Sequence, residues 1–216
     1  MSLSTDALLK NIRTFVQGTM AIVSENTGSH GSLIAQVQQR GEEFLALTPA
    51  LQRRAESPAP VREWLGQALS EATKRECDGS TARILESLSI MADDLPWEVG
   101  YEGAGITDHF RRNFGYATLV GPGALIESDR FSAGVTMFGP DMFYDWHHHP
   151  AHEFYLNLTE GSGWGLDFEA LSTRAFGEVI VHPGGRPHAM RSFDQPLLAP
   201  WLWCGDVHEP AKMTAQ

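Results

Sequence analysis

The chain has little cysteine. Its 216 residues include only Cys77 and Cys204, which lie far apart in sequence and form no CxxC pair. A disulfide framework or a thiolate zinc site needs several cysteines at regular spacing, so neither is indicated. We expect both residues to be ordinary thiols, buried or half-buried.

Long apolar runs and an excess of basic residues are also missing. No stretch approaches the roughly 20 apolar residues that a membrane-spanning helix needs, and the chain does not start with a basic region followed by an apolar one. These absences predict a cytoplasmic protein. The 16 basic and 27 acidic residues give a formal net charge of -11, and such a charge repels phosphate backbones and anionic lipids. We therefore expect no nucleic-acid partner and no membrane partner.

The residues that are present are those of a globular protein. Hydrophobic residues make up 42% of the chain, and six of its residues are tryptophan, whereas disordered chains lack aromatic residues. The length suits one ordinary domain with an appendage. Residues 1–96 have helical spacing, with Leu8, Ile12 and Phe15 on one face of a first helix. Further helices are predicted over 32–47, after Pro60 and after Asp78.

The pattern changes after Pro96. Short runs rich in strand-forming residues, bounded by Gly, Pro, Asp or Ser, occupy 116–126, 131–138, 152–158, 163–168, 178–181 and 201–204. Evenly spaced short strands with such turns are typical of an antiparallel barrel or sandwich. The predicted fold class is α+β and mainly β, with a jelly-roll-like antiparallel β-barrel over 97–216. A helical layer over 1–96 is predicted to pack on this barrel.

Histidine is concentrated in one part of the chain, because six of the nine histidines lie between His147 and His188. Alternate residues of an extended strand share a face, so His147 and His149 point the same way. Glu153 and Tyr155 share a face for the same reason, after the intervening bend. His188 follows a Pro-Gly-Gly turn and is expected to approach from a later strand.

This grouping predicts a site for one divalent transition metal ion, Zn, Fe, Mn, Co or Ni, because imidazole and carboxylate suit these ions. The lack of nearby cysteine argues against a closed structural zinc site. His148 and His152 point away from the shared face and receive no ligand role, while His182 is assigned a structural or supporting one. The competing interpretation, histidines in ordinary surface turns, must account for both the clustering and the spaced glutamate.

Two motifs in this region resemble those of the cupin superfamily. The first cupin motif is H-x-H followed, after three or four residues, by Glu. The second is Gly, five residues, P-x-G, two residues and His. The matching positions are His147, His149 and Glu153 for the first motif, and Gly177, Pro183, Gly185 and His188 for the second.

A longer stretch, from Tyr144 to Tyr155, resembles the bacterial cupin-type dimethylsulfoniopropionate (DMSP) lyases of the DddQ and DddL type, as do the downstream His188 and tryptophans. The resemblance implies cleavage of DMSP, a small zwitterion, to dimethyl sulfide and acrylate. It also implies a metal ion held by His and Glu side chains with a tyrosine at or beside it. The residues assigned in this way are His149, Glu153, His188 and Tyr155, with His147 as a further ligand or a hydrogen-bonding group for the substrate.

The residue types suit this elimination. A metal ion can neutralise the substrate carboxylate and so make the neighbouring C–H more acidic. A tyrosine close to a cation can ionise more readily, and Tyr155 is the first choice of base, with Tyr144 the second. Aromatic faces bind sulfonium groups by cation–π attraction. Trp146, Trp201 and Trp203 are the predicted substrate-binding residues.

Two other functions remain compatible with the sequence. A cupin Fe(II) dioxygenase acting on a small molecule would use the same ligands, but it would not need a tyrosine beside the metal. A non-catalytic cupin that binds a metal or small ligand would leave Tyr144 and Tyr155 unexplained. The sequence also leaves the oligomeric state open, including a homodimer.

Overall fold

The computed structural model describes residues 2–25, 30–52, 59–101 and 106–214. Its first part is helical, and the Asp78 carboxylate caps the last of these helices by accepting from the backbone N–H groups of Ser80 and Thr81 at 2.7 Å. The helix predicted after Pro60 begins as a 3-10 turn. The elements are α1 (Thr5–Glu25), α2 (Gly31–Ala46), the 3-10 turn (Pro60–Trp64), α3 (Leu65–Thr73) and α4 (Gly79–Met91).

The remainder of the chain is mostly strand. The strand predicted over 116–126 ends earlier, at Val120, because Gly121 and Gly123 have positive φ and turn the chain. The elements are β1 (Trp97–Glu98), α5 (Asp108–Asn113), β2 (Phe114–Val120), β3 (Phe131–Phe138), β4 (Phe143–His148), β5 (His152–Leu156), β6 (Ser162–Leu166), β7 (Ser172–Arg174), β8 (Val179–His182), β9 (His188–Arg191), β10 (Leu197–Cys204) and β11 (Lys212–Met213).

These strands form two antiparallel sheets. The six-stranded sheet has the order β1-β2-β3-β10-β5-β8, and the five-stranded sheet has the order β11-β4-β9-β6-β7. The mainly β, jelly-roll-like fold is therefore confirmed, but the closed barrel is not. Within the described ranges no strand pairing joins the two sheets. Their edge strands have only two to four residues, which leaves little edge for closure.

The six-stranded sheet is buried on both faces, and every residue of β3 is buried. Its outer face, including Val135, Phe154 and Leu202, shares one apolar cluster with the helices. A second cluster, which includes Phe138 and Trp164, lies between the two sheets. The helical layer therefore covers the outer face of the sheet, on the side away from the space between the sheets. The division into regions 1–96 and 97–216 remains a prediction.

The two cysteines differ in burial. Cys204 is buried, but Cys77 is exposed, because it lies in the connection between α3 and α4. The expectation that Cys77 is at least half-buried is therefore wrong. A search of the described residues finds no helix long and apolar enough to cross a membrane.

Candidate active site

The two histidine-containing motifs meet where the two turns that follow β4 and β8 pack together. The backbone N–H of Gly185 donates a hydrogen bond to the carbonyl of His149 at 2.7 Å. A β-carbon at Gly184 would collide with the carbonyl oxygen of Pro150. The glycines of the second motif therefore allow this turn to approach the first motif closely.

Three of the predicted ligands converge. Ligand atoms of His149, Glu153 and His188 all lie within 4.8 Å of one another, and the three residues are buried. Oε2 of Glu153 is 3.3 Å from Nε2 of His149 and 3.3 Å from Nε2 of His188. The structure thus brings together one carboxylate oxygen and two imidazole nitrogens that are distant in sequence.

Backbone carbonyls fix the orientation of the imidazoles. Nδ1 of His149 lies 3.0 Å from the carbonyl of Ala151, and Nδ1 of His188 lies 2.9 Å from that of Arg186. A carbonyl can only accept, so Nδ1 carries the proton and Nε2 presents a lone pair to the centre. Nε2 of His188 is buried without a hydrogen-bond partner. This unpaired nitrogen, together with Nε2 of His149 and the carboxylate of Glu153, provides a set of ligands that fits a metal ion.

A backbone carbonyl also orients the ring of His147, because its Nδ1 lies 2.8 Å from the carbonyl of Asp145. Its pKa is well below the usual value because burial and the neighbouring His188 disfavour the charged ring. Burial opposes ionisation of Glu153, but contacts with the surrounding histidines, His149 foremost, outweigh it and hold the pKa of Glu153 well below the usual value. A neutral imidazole and an ionised carboxylate are the ligand forms of these groups.

His149, Glu153 and His188 form the ligand group of this site, and His182 and Trp203, which lie outside it, also contact the Glu153 carboxylate. Nδ1 of His182 lies 3.3 Å from Oε2, and its ring stacks on that of His188 with centroids 4.2 Å apart. Burial, followed by the nearby His188, lowers the pKa of His182 to about 4. The indole N–H of Trp203 donates to Oε1 of Glu153 at 2.6 Å. His182 therefore has the supporting position that its sequence context predicted.

The ligand group borders a cavity of about 220 Å³ between the sheets. Its described lining residues include no Lys or Arg. Most of the predicted site residues line it together, whereas His188 and Trp146 are not among the lining residues. The predicted residues in the lining are Tyr144, His147, His149, Glu153, Tyr155, Trp201 and Trp203.

All four tyrosines of the chain line this cavity. The Tyr155 phenol lies beside Thr136 and Glu153, and burial followed by the Glu153 charge raises its pKa well above the usual value. Tyr144 is hydrogen-bonded to the hydroxyl of Tyr101, and burial, followed by Tyr101, raises its pKa as well. Tyr101 and Tyr116 were not predicted from the sequence. Their residue type, rare in this chain, was the available signal.

Trp146 does not line the cavity, although it was predicted to lie near the substrate. The register of β4 against β9 shifts between Tyr144 and His147, so these two residues share the inner face despite their spacing of three. The ring of Tyr144 stacks on that of His147 with centroids 3.6 Å apart. Trp146 points to the other face and packs against Phe168, with centroids 5.0 Å apart. The β-bulge thus removes Trp146 from the site.

The C-terminal segment closes one side of the cavity, although no local sequence pattern predicted this. Val207, Pro210 and Ala211, from the connection between β10 and β11, belong to the lining. The segment is fixed to β4 by the pairing of β11 and by a 2.8 Å hydrogen bond from the Thr214 N–H to the carbonyl of Trp146. The strand that positions His147 therefore also anchors this wall.

Comparisons with known proteins agree on the family. The family model described as DMSP lyase matches residues 34–199. The DMSP lyase DddQ of Ruegeria pomeroyi DSS-3 is 27% identical over 171 residues, which cover 79% of this chain and 84% of that protein.

Solved structures show the same fold. The crystal structure of DddQ from Ruegeria pomeroyi DSS-3 has a TM-score of 0.62 at 22% identity and covers 92% of this chain and 96% of its own. A chain from the crystal structures of the DMSP lyases RdDddP and RnDddQII has a TM-score of 0.64 at 20% identity, covering 93% and 100%. These likenesses show that this chain shares the fold of both structures. Because the family match spans most of its length, this chain belongs to the DMSP lyase family, whose members are carbon–sulfur lyases.

Proposed function

We propose that this protein is a metal-dependent lyase that cleaves DMSP to dimethyl sulfide and acrylate. The observation that carries the proposal is the convergence of His149, Glu153 and His188 beside a cavity lined by tyrosines, in a chain of this family. The cavity is small and largely aromatic, as a short zwitterionic substrate requires.

A divalent transition metal of the Zn, Fe, Mn, Co or Ni group would be held by His149, Glu153 and His188, with His147 as a further candidate. When bound, it would supply the positive charge that neutralises the substrate carboxylate and acidifies the adjacent C–H group. The described lining residues contain no Lys or Arg that could pair with this carboxylate. The absence of such a side chain supports a role for the ion in binding as well as in catalysis.

The reaction is a β-elimination that releases one proton. The C–H bond next to the carboxylate breaks and its electrons form the new C=C bond, while the C–S electrons leave with sulfur. Tyr155 is the proposed base because its phenol lies beside Glu153. Its raised pKa keeps the phenol protonated without a nearby cation, so we expect the base to be active only in the metal-loaded protein. Tyr144 is the second candidate.

The aromatic lining suits the sulfonium end of the substrate. Trp201 lines the cavity, and its ring packs directly on Gly134, where any side chain would collide with it. Tyr101 and Tyr116 also line the cavity and add aromatic rings. Each aromatic face contributes about 0.5–2 kcal/mol to binding an onium group, which is enough to orient a small substrate.

The test is to incubate purified protein with DMSP and measure dimethyl sulfide in the headspace together with acrylate in solution. As-isolated, chelated and metal-reconstituted samples are compared, with oxygen uptake recorded in parallel. We expect both products in equal amounts, loss on chelation and recovery with metal. Oxygen consumption without dimethyl sulfide would instead indicate a dioxygenase, and metal binding without either reaction would indicate a binding protein.

A further inference from the structure

Three side chains form a row across neighbouring strands of the six-stranded sheet. Trp203 on β10 lies directly opposite Glu153 on β5, and Glu153 lies directly opposite His182 on β8. Directly opposed residues project to the same face of a sheet. The register of three strands therefore places an indole and an imidazole on either side of the Glu153 carboxylate.

The two oxygens of this carboxylate have different surroundings. Oε1 accepts the indole N–H of Trp203 at 2.6 Å. Oε2 lies 3.3 Å from a nitrogen of each of His149, His182 and His188. An indole has one donor and no acceptor, and its hydrogen bond to an ionised oxygen is of the strong, charge-assisted type. Trp203 therefore holds Oε1 and leaves Oε2 facing the two histidines of the ligand group.

Trp203 also contacts a second member of the ligand group. Its ring stacks on that of His149 with centroids 4.1 Å apart and planes inclined by 25°. The carbonyl of Ala151 holds Nδ1 of the same imidazole. The indole thus restrains the plane of His149 while its N–H restrains the carboxylate of Glu153.

We propose that Trp203 is a positioning residue of the metal centre, which by binding Oε1 of Glu153 reserves Oε2 as the single oxygen offered to the ion. This role is additional to the substrate-binding role that the sequence predicted for Trp203, which also lines the cavity. It rests on the metal centre of the proposed function but does not depend on the identity of the substrate.

Binding of Glu153 through one oxygen would leave more coordination positions of the metal ion open. A carboxylate with both oxygens free can bind an ion through either one or both, and binding through both would fill a position that catalytic sites keep open. Outer groups that orient metal ligands typically contribute 10–100-fold to metal affinity. Removing the indole N–H should therefore change both the affinity and the coordination of the ion.

The test compares the wild-type protein with Trp203→Phe and with a protein carrying 3-benzothienylalanine at position 203. The second side chain has the shape of tryptophan with sulfur in place of N–H, so it keeps the packing if the Phe variant does not fold. Trp64→Phe is the matched control, because Trp64 also donates its indole N–H to a side-chain oxygen, Oδ1 of Asn113 at 3.2 Å, and does not line the cavity. Co²⁺ affinity is measured by competition with a chromophoric chelator, and the visible spectrum of the Co²⁺ protein is recorded.

We expect both changes at position 203 to weaken Co²⁺ binding by about 10-fold or more. We also expect a less intense visible spectrum, as the number of ligands around Co²⁺ rises, while Trp64→Phe leaves affinity and spectrum unchanged. Unchanged affinity and spectrum in the benzothienylalanine protein would overturn the inference. Neither the Co²⁺ affinity nor the spectrum depends on DMSP. A wild-type protein that releases no dimethyl sulfide would therefore refute the proposed function, but the Co²⁺ measurements would still test the role of Trp203.

Discussion

The two faces of the six-stranded sheet are both buried, but they are built from different side chains. On β5, Phe154 points outward into the apolar cluster shared with the helices, while Glu153 and Tyr155 point inward. The outer face packs against the helices through apolar side chains. On the inner face, each polar group needs a partner at a fixed register, such as Trp203 and His182 for Glu153. Because successive side chains of β5 point to opposite faces, the residues that stabilise the fold and the residues of the candidate site lie on different sides of the sheet.

The largest effect is expected when the carboxylate is removed from the inner face. Glu153→Ala should lose bound metal under mild chelation and reduce dimethyl sulfide release by on the order of a thousandfold, because a metal ligand and its charge are lost. Metal content by mass spectrometry and product release measure the two effects. Glu42→Ala, on the exposed side of α2, is the control. Full metal content in Glu153→Ala would disprove the ligand assignment.

Replacing the proposed base tests a second inner-face residue. Tyr155→Phe keeps the ring and removes the hydroxyl, so metal content should stay normal while kcat falls by about 100-fold or more. The same measurement on Tyr144→Phe ranks the two candidates. A larger loss in Tyr144→Phe, with metal retained in both variants, would transfer the role of base to Tyr144.

The outer face should respond in stability and not in chemistry. Phe154→Ala removes a fully buried ring and should lower the free energy of unfolding by about 3–5 kcal/mol. For a chain of this size, the corresponding fall in Tm is roughly 6–20 °C. Below its Tm, the variant should keep its metal and its kcat. A variant of normal Tm would show that the helical layer does not depend on this contact.

The stability of the metal-free protein should depend on pH through the inner face. The pKa of His182 is about 4 in the folded protein, below its value of about 6.5 in an unfolded chain. As pH falls below 6.5, the unfolded chain therefore binds a proton that the folded one does not, and stability is lost. This loss should reach about 2 kcal/mol between pH 7 and pH 5.

Urea unfolding of the chelated protein at the two pH values measures this dependence. His182→Phe keeps a ring beside His188 and should reduce the change of unfolding free energy with pH. Part of this change should remain, because the pKa of His147 is also lowered. An unchanged slope would show that His182 does not titrate as described.

The smallest effect is expected on the outer side of β4. Trp146→Phe should leave kcat/KM nearly unchanged, because Trp146 packs on Phe168 and does not line the cavity. Trp201→Leu should raise KM several-fold, since an aromatic face is worth about 0.5–2 kcal/mol to an onium ion. A larger loss in Trp146→Phe than in Trp201→Leu would show that the β-bulge does not keep Trp146 away from the substrate.

Much of the fold could be predicted because it depends on local patterns. The strand predicted over 131–138 is β3, and the helix predicted over 32–47 agrees with α2 to within a residue at each end. The strand predicted over 116–126 is too long, because two glycines end β2 at Val120 although the apolar pattern continues. No strand pairing in the described ranges closes the predicted barrel, because closure depends on the edge strands, which are too short to give a clear periodic signal.

The sequence by itself determined which residues converge at the centre of the site, because the H-x-H spacing, the following glutamate and the Pro-Gly-Gly turn are local. Only the tertiary structure decided which aromatic residues accompany them. A one-residue bulge put Tyr144 beside His147 and turned Trp146 outward, and the pairing of β10 with β5 set Trp203 against Glu153. Tyr101 and Tyr116 enter from segments distant in sequence. Cross-strand register and long-range packing depend on the whole chain, so no local periodicity records them.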